Sequence, residues 1–154
     1  MTTLKSILGT SRLFFPLIFL SLVFNSAAVT PADTKLELQL IWGTNDPQSP
    51  DPKHKPLEPE LAKKMEKSPY KWKNYFEVNR QAIQVAPNAT QKSKMSPQCE
   101  VEVKNLSDGR IEVKLFGNGK EVSKHIHPLA NGLLIVGGDC KNDTAWFVMV
   151  KPLK

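Results

Sequence analysis

The chain is poor in the residues and motifs that mark catalytic sites. Its 154 residues include only two cysteines and three histidines. It has no Gly-x-Ser-x-Gly elbow, no His-Glu-x-x-His pair, no phosphate-binding loop and no dinucleotide fingerprint. No apolar run approaches the roughly 20 residues that a transmembrane helix requires. These absences argue against the enzyme classes that the motifs define, and we expect a non-enzymatic protein without a cofactor.

The N-terminus has the layout of an export signal. Two basic residues precede a 12-residue apolar run at residues 13–24, and Ser26-Ala27-Ala28 supplies the small residues that a signal peptidase needs. We expect residues 1–28 to be removed as a signal peptide, which leaves residues 29–154 as a single domain. The mature protein is expected to be secreted or periplasmic and to have no transmembrane segment.

The chain is basic, with 21 Lys and Arg residues against 15 Asp and Glu residues. Its formal net charge of +6 favours solubility and weak attraction to anionic surfaces. The basic residues are scattered, whereas a nucleic-acid-binding domain concentrates them in one patch beside a recognisable module. We therefore expect no nucleic-acid partner.

Alternation of apolar and polar residues is the main structural signal. The even-numbered residues from Leu36 to Trp42 are all apolar, which is typical of a half-buried strand. Further strands are expected at residues 73–85, 99–105, 110–116, 121–127, 133–136 and 145–151. Turns that contain glycine separate most of them, as in antiparallel hairpins. The sequence therefore predicts a mainly β protein, a single-domain antiparallel β-sandwich of about seven strands with one short helix.

The same alternation predicts which side chains are buried in the C-terminal half. Those expected on the inner face are Val101, Val103, Ile111, Val113, Leu115, Val122 and Ile126. Ser123 and His125 are expected to point to water. The last two strands are apolar on both faces, so the helix or the proline-rich loop is expected to cover their second side.

A proline-rich segment follows the first strand. Residues 43–60 include five prolines, which cannot donate a backbone hydrogen bond to a sheet, and we expect a long surface loop. A short helix is expected at about residues 58–67, because Leu57, Leu61 and Met65 recur at four-residue spacing.

Cys99 and Cys140 are the two cysteines of the chain. In one continuous meander both residues lie at the same end of the sheet, so we expect a structural disulfide between them. Two separate thiols are the alternative. A redox-active pair is disfavoured because the chain has no Cys-x-x-Cys motif.

Residues 70–76 interleave aromatic side chains with lysines. This composition can stack on sugars and pair with acidic groups, but it equally fits a strand whose rings turn into the core. If the protein has a partner-binding surface, we expect it at this segment and the adjoining loop, with an envelope protein or a glycan as the partner. The residues expected to contact the partner are Tyr70, Lys71, Trp72 and Lys73.

His125 and His127 lie two residues apart on one predicted strand, so their imidazoles share a face. Two imidazoles can ligate zinc or copper, with His54 or an acidic residue as a third ligand. Solvated histidines near a turn fit the same pattern. The pair defines the alternative function, which is a metal-binding protein or a small metal-dependent hydrolase.

Three segments carry a resemblance to known proteins. The strand ending in Leu40-Ile41-Trp42-Gly43-Thr44-Asn45-Asp46, the later Tyr75-Phe76-Glu77-Val78, and Gly137-Gly138-Asp139 before an apolar strand resemble small exported bacterial proteins of unknown function. The resemblance implies a bacterial envelope protein and brings no active site with it. We therefore expect an exported, non-enzymatic binding or assembly module of the cell envelope.

Overall fold

The computed structural model describes residues 32–154, except for Asn142 and the side chains of residues 138–141. The expected signal peptide at residues 1–28 lies outside the described residues. This part of the chain forms nine strands, one α-helix and one 3-10 turn. In chain order they are β1 (Thr34–Thr44), β2 (Lys55–Pro56), α1 (Pro59–Glu66), β3 (Asn74–Val85), β4 (Thr90–Lys94), β5 (Cys99–Asn105), β6 (Arg110–Gly117), β7 (Lys120–Pro128), the 3-10 turn (Leu129–Asn131), β8 (Leu134–Lys141) and β9 (Thr144–Pro152).

The strands form two antiparallel sheets. The five-stranded sheet has the order β2-β3-β1-β9-β8, and the four-stranded sheet has the order β4-β5-β6-β7. The protein is therefore mainly β and forms a sandwich with one short helix, as the alternation predicts. Two of its strands, β2 and β4, are additional to those predicted. β2 has two residues and includes Pro56, and β4 has the polar sequence TQKSK, so neither produces an apolar alternation.

The inner faces of the two sheets form the main core. The central strand β1 contributes alternate leucines, which pack against alternate residues of β5 and β6. These buried side chains are Leu36, Leu38, Leu40, Val101, Val103, Ile111, Val113 and Leu115. Each fully buried aliphatic side chain contributes about 1.5–3 kcal/mol relative to an exposed one, so this apolar layer holds the two sheets together.

The helix α1 forms a third layer on the outer face of the five-stranded sheet. Its first residue, Pro59, has no backbone N–H, and a helix leaves that group unpaired in any case. Leu61 and Met65 are buried and pack in a second cluster with Phe147 of β9. The helix thus covers the second apolar face of β9, as expected. It has eight residues, and nothing helical within residues 32–154 has the length and hydrophobicity to cross a membrane.

The C-terminal half is not one meander, contrary to the expectation. Strands β4 to β7 follow one another in the four-stranded sheet, but β8 and β9 belong to the other sheet, where β9 lies between β1 and β8. The placement of β8 and β9 in the five-stranded sheet agrees with the composition of the strands. β9 is apolar on both faces, which suits the five-stranded sheet because other elements pack on both of its faces. The outer face of the four-stranded sheet is polar instead, and a row of ion pairs crosses it from Lys92 to Lys124.

The burial expected for β5 and β6 is confirmed, but the burial expected for β7 is wrong. Val122 and Ile126 are 43% and 54% exposed. The register gives the reason, because Ile126 pairs with Glu112 on the water-facing side, while the buried Val113 pairs with His125. β7 lies at the edge of its sheet, where apolar residues need not face the core.

Candidate functional site: a tryptophan-lined cavity

A cavity of about 570 Å³ lies at one end of the sandwich. It sits where β1 ends, β9 begins and β5 begins, and residues from both sheets line it. Its volume lies within the range of about 300–1,000 Å³ that is usual for small-molecule sites. The apolar part of its wall consists of Leu40, Trp42, Val78, Val122, Trp146 and the thiol residue Cys99.

Two tryptophans form the aromatic part of the wall. Trp42 of β1 and Trp146 of β9 are direct pairing partners in the antiparallel ladder, so their side chains stand side by side on one face of the sheet. Leu40 precedes Trp42 by two residues and extends the same face into the core. The Nε1 atom of Trp42 is buried and has no acceptor among the described residues. Such unpaired N–H groups are rare in folded proteins, so this position is not optimised for stability alone.

Two β-bulges place valines on the cavity wall. Between β1 and β3 the register shifts, since Leu40 pairs with Asn79 and the next residue pairs with Glu77, which leaves Val78 without a partner. Between β6 and β7, Ser123 and Glu121 pair with consecutive residues of β6, which leaves Val122 as the extra residue. A bulge re-aims the side chain of the extra residue, and both of these valines line the cavity. Both bulges therefore place a side chain on the wall of the same cavity.

The rim of the cavity is polar. Its residues come from the proline-rich segment, from the β4–β5 and β6–β7 turns and from the start of β9. They include Asp51, His54, Ser96, Gln98, Asn118 and Thr144. The proline-rich segment was expected to be a loop, and it is one apart from β2, which pairs briefly with β3. The sequence gives no sign that this loop would fold over the end of the sandwich.

Within this loop, three residue types of a hydrolytic triad lie close together. The Oγ atom of Ser49 is 2.6 Å from Nδ1 of His54. The remaining link is missing, because Nε2 of His54 is 4.0 Å from Asp51, and the other oxygen of that carboxylate accepts a hydrogen bond from the backbone N–H of Lys53. A triad requires hydrogen bonds on both sides of the imidazole. These contacts are those of a local turn.

Cys99 is a free thiol at the cavity wall and is 5% exposed. Burial raises the pKa of this thiol to about 12, so it stays protonated at neutral pH. The disulfide expected with Cys140 is not formed at Cys99 in the structure. The two residues lie on β5 and β8, in different sheets, so the argument from a single meander does not apply. The side chain of Cys140 lies outside the described residues.

The aromatic rings of the segment expected to bind a partner pack against the protein, which is the alternative that the sequence left open, and Tyr70 and Trp72 are half-buried. Residues 70–73 lie in the loop between α1 and β3, and β3 begins at Asn74. The ring centroids of Tyr70 and Trp72 lie 4.5 and 5.4 Å from that of Phe147, and Nε1 of Trp72 donates to the backbone carbonyl of Asp143 at 2.8 Å. Gly43 favours this close packing, since a Cβ atom at that position would lie 3.0 Å from the Phe147 ring and the ring would have to shift.

Two lysines of the same segment stay outside this packing. Lys71 and Lys73 are exposed, and no carboxylate of the described residues lies within ion-pairing distance of either. Only the lysines of the expected partner-binding set are therefore freely accessible.

His125 and His127 share one face of β7, as expected, and His125 is exposed, as expected, while His127 is half-buried. They pair with the buried residues Val113 and Ile111. Nε2 of His127 lies 3.1 Å from the carbonyl oxygen of Gly132. Among the described residues, no three His, Cys, Asp or Glu side chains come together as a metal site would require.

A polar network lies on the helix side of the five-stranded sheet. Arg80 of β3 is 2.6 Å from Glu77, 2.6 Å from Glu58 and 3.5 Å from Glu37. Hydrogen bonding to Glu77 raises the pKa of Arg80 above its ordinary value. Nε2 of the fully buried Gln39 also donates to Glu77. Since Glu58 directly precedes α1, this network fixes the start of the helix to β1 and β3.

Comparisons with protein-family models, with curated proteins and with solved structures find no match. The function is therefore inferred from the chemistry of the chain itself.

Proposed function

We propose that the mature chain is an exported, non-enzymatic binding module of the cell envelope and that a small ligand occupies the cavity beside Trp42 and Trp146. The observation that carries the proposal is the pair of bulges. Each one departs from a regular ladder and places a valine on the wall of the same cavity. A sequence selected for stability alone would favour regular pairing and dense packing at that end of the sandwich.

The polar groups around the cavity support binding rather than catalysis. The thiol of Cys99 is protonated, and the Ser49, His54 and Asp51 group lacks the hydrogen bond that would orient the imidazole. Apolar walls with a few polar groups at the mouth are typical of ligand sites. The export signal expected at residues 1–28 supports a location outside the cytoplasm.

The expected envelope protein or glycan belongs to this proposal as a second, outer partner. The rings of Tyr70 and Trp72 are engaged with Phe147, so such a partner would meet Lys71 and Lys73. A charge-reversed double variant, Lys71→Glu with Lys73→Glu, is expected to lose that partner in a pull-down from an envelope extract. It should leave occupancy of the cavity unchanged.

A variant that plugs the cavity tests the main proposal. Gly117 lies at the wall, and a Cβ atom there would be 3.4 Å from Trp146 and 3.4 Å from Val122, which is ordinary contact. Its backbone does not have the positive φ that would exclude other residues. Gly117→Leu is therefore expected to fill the cavity mouth while the chain still folds. The matched control is Ala82→Leu, at an exposed position of β3.

The measurement is native mass spectrometry of the mature protein after incubation with small molecules extracted from the host envelope. We expect a small-molecule adduct on the wild type and on Ala82→Leu, and none on Gly117→Leu. An adduct retained by all three proteins would place the ligand elsewhere. Covalent labelling of Ser49 by a fluorophosphonate would contradict the non-enzymatic assignment.

A further inference from the structure

The cavity differs in charge from the rest of the molecule. The whole chain has 21 Lys and Arg residues among 154. None of the described residues that line the cavity is a lysine or an arginine. The one carboxylate among them, that of Asp51, is at the rim, and its side chain is 48% exposed. The described lysines and arginines of this basic protein therefore all lie outside the lining of this cavity.

Among the residues that the structure describes, none places a charged group in the interior of the cavity to pair with a charged ligand. Its deeper wall is formed by the Trp42 and Trp146 rings, by Leu40 and by the protonated thiol of Cys99. Moving an ionised group from water into such surroundings is unfavourable unless an opposite charge or several hydrogen bonds receive it. An anion would also meet the carboxylate of Asp51 as it entered.

From these observations we infer that the cavity takes an uncharged, largely apolar small molecule and discriminates against anionic molecules of the same shape. This inference rests on the proposed function and specifies its ligand class. The tryptophan rings supply apolar contact area and ring faces for stacking. The polar rim supplies hydrogen bonds to whatever part of the ligand remains at the mouth, where Gln98, Asn118 and Thr144 lie.

Two fluorescent probes with one ring skeleton provide the test. N-phenyl-1-naphthylamine is uncharged, and 8-anilino-1-naphthalenesulfonate adds an anionic sulfonate to the same anilinonaphthalene frame. Each is titrated into the mature wild type, into Gly117→Leu and into Ala82→Leu. The anionic probe can also bind to surface lysines. We therefore assign to the cavity only the fluorescence increase that is lost in Gly117→Leu and kept in Ala82→Leu.

We expect the uncharged probe to bind at one site per chain and Gly117→Leu to weaken that binding by about tenfold or more, which corresponds to about 1.4 kcal/mol. The affinity of the anionic probe for the cavity of the wild type should be about tenfold lower than that of the uncharged probe. A wild-type circular dichroism spectrum and a cooperative urea transition establish that Gly117→Leu is folded.

The possible failures are distinct. Equal or tighter binding of the anionic probe in the cavity would overturn the ligand class and leave the proposed function intact. If Gly117→Leu, shown to be folded, bound the uncharged probe as the wild type does, the cavity would not be the binding site, and the proposed function would fail with it.

Discussion

Two isoleucines on neighbouring strands allow a direct test of how β7 faces the sandwich. Ile111 of β6 is 1% exposed, and Ile126 of β7 is 54% exposed. Replacement by alanine removes three carbon groups, which contribute about 0.8 kcal/mol each when fully buried. With the additional effect of the cavity left behind, Ile111→Ala is expected to destabilise the protein by about 3 to 4 kcal/mol. Ile126→Ala should destabilise it by about 1 kcal/mol or less, because half of that side chain is already in water.

Urea unfolding followed by circular dichroism measures both variants. With a denaturant dependence of about 1.5 kcal/mol per molar urea, the two midpoints should differ by roughly 1.5 M. Both strands lose the same β-branched residue, so strand propensity largely cancels in the comparison. Equal losses of stability would show that β7 buries Ile126, as its alternation suggests. The register described above would then be wrong.

Four further predictions concern other parts of the molecule. Cys99 should resist iodoacetamide at pH 8 in the folded protein and react in urea without a reductant; a need for reductant would reveal a disulfide. Folding raises the pKa of this thiol from 9.0 to about 12, so its contribution to stability should be present below pH 9 and be lost as the pH rises towards 12. The variant Cys99→Ala should not show this loss of stability. Arg80→Met should cost about 2 kcal/mol in urea unfolding, because carboxylates that are 17% and 19% exposed lose their cation. Arg110→Met, which breaks a solvent-exposed ion pair, should lower the urea midpoint much less. Intact mass of the protein recovered outside the host cytoplasm should show that it begins after Ala28; an uncleaved chain would contradict the export signal.

Most of the fold is predictable because alternation reports burial wherever one face of a strand meets the core. Strands β5 and β6 lie in the middle of the four-stranded sheet, and their valines and leucines follow the rule without exception. The helix is predictable for a similar reason, since Leu61 and Met65 meet the sheet at helical spacing. Edge strands carry less information. β4 has a polar sequence and is held in the sheet by backbone hydrogen bonds to β5. β7 has apolar side chains that remain exposed.

The candidate site was not predictable from local patterns. A tryptophan in a strand looks the same in sequence whether it faces a filled core or an open cavity, and Trp42 and Trp146 are 104 positions apart in the chain. The bulges depend on which residues pair across two strands, so no window of sequence shows them. The same limit applies at residues 70–73, where the sequence leaves a binding surface and a core-facing segment both open. Aromatic rings beside lysines suggested a binding surface, but Phe147 takes up two of those rings.

The two ends of the sandwich are built differently, and this difference supports the assignment of the cavity. At the closed end, the side-chain nitrogen of the buried Asn105 donates to the carbonyl of Val85 at 3.1 Å and to the hydroxyl of Thr34 at 3.0 Å, which joins β5 to β3 and β1. A buried amide with its donors engaged fixes one relative position of the two sheets. With the sheets fixed there, the opposite end is able to carry two bulges and an unpaired indole N–H without loss of the fold. The proposed binding site at the open end is therefore separated from the contacts that hold the sandwich together, so substitutions such as Gly117→Leu are expected to alter the cavity and leave folding intact.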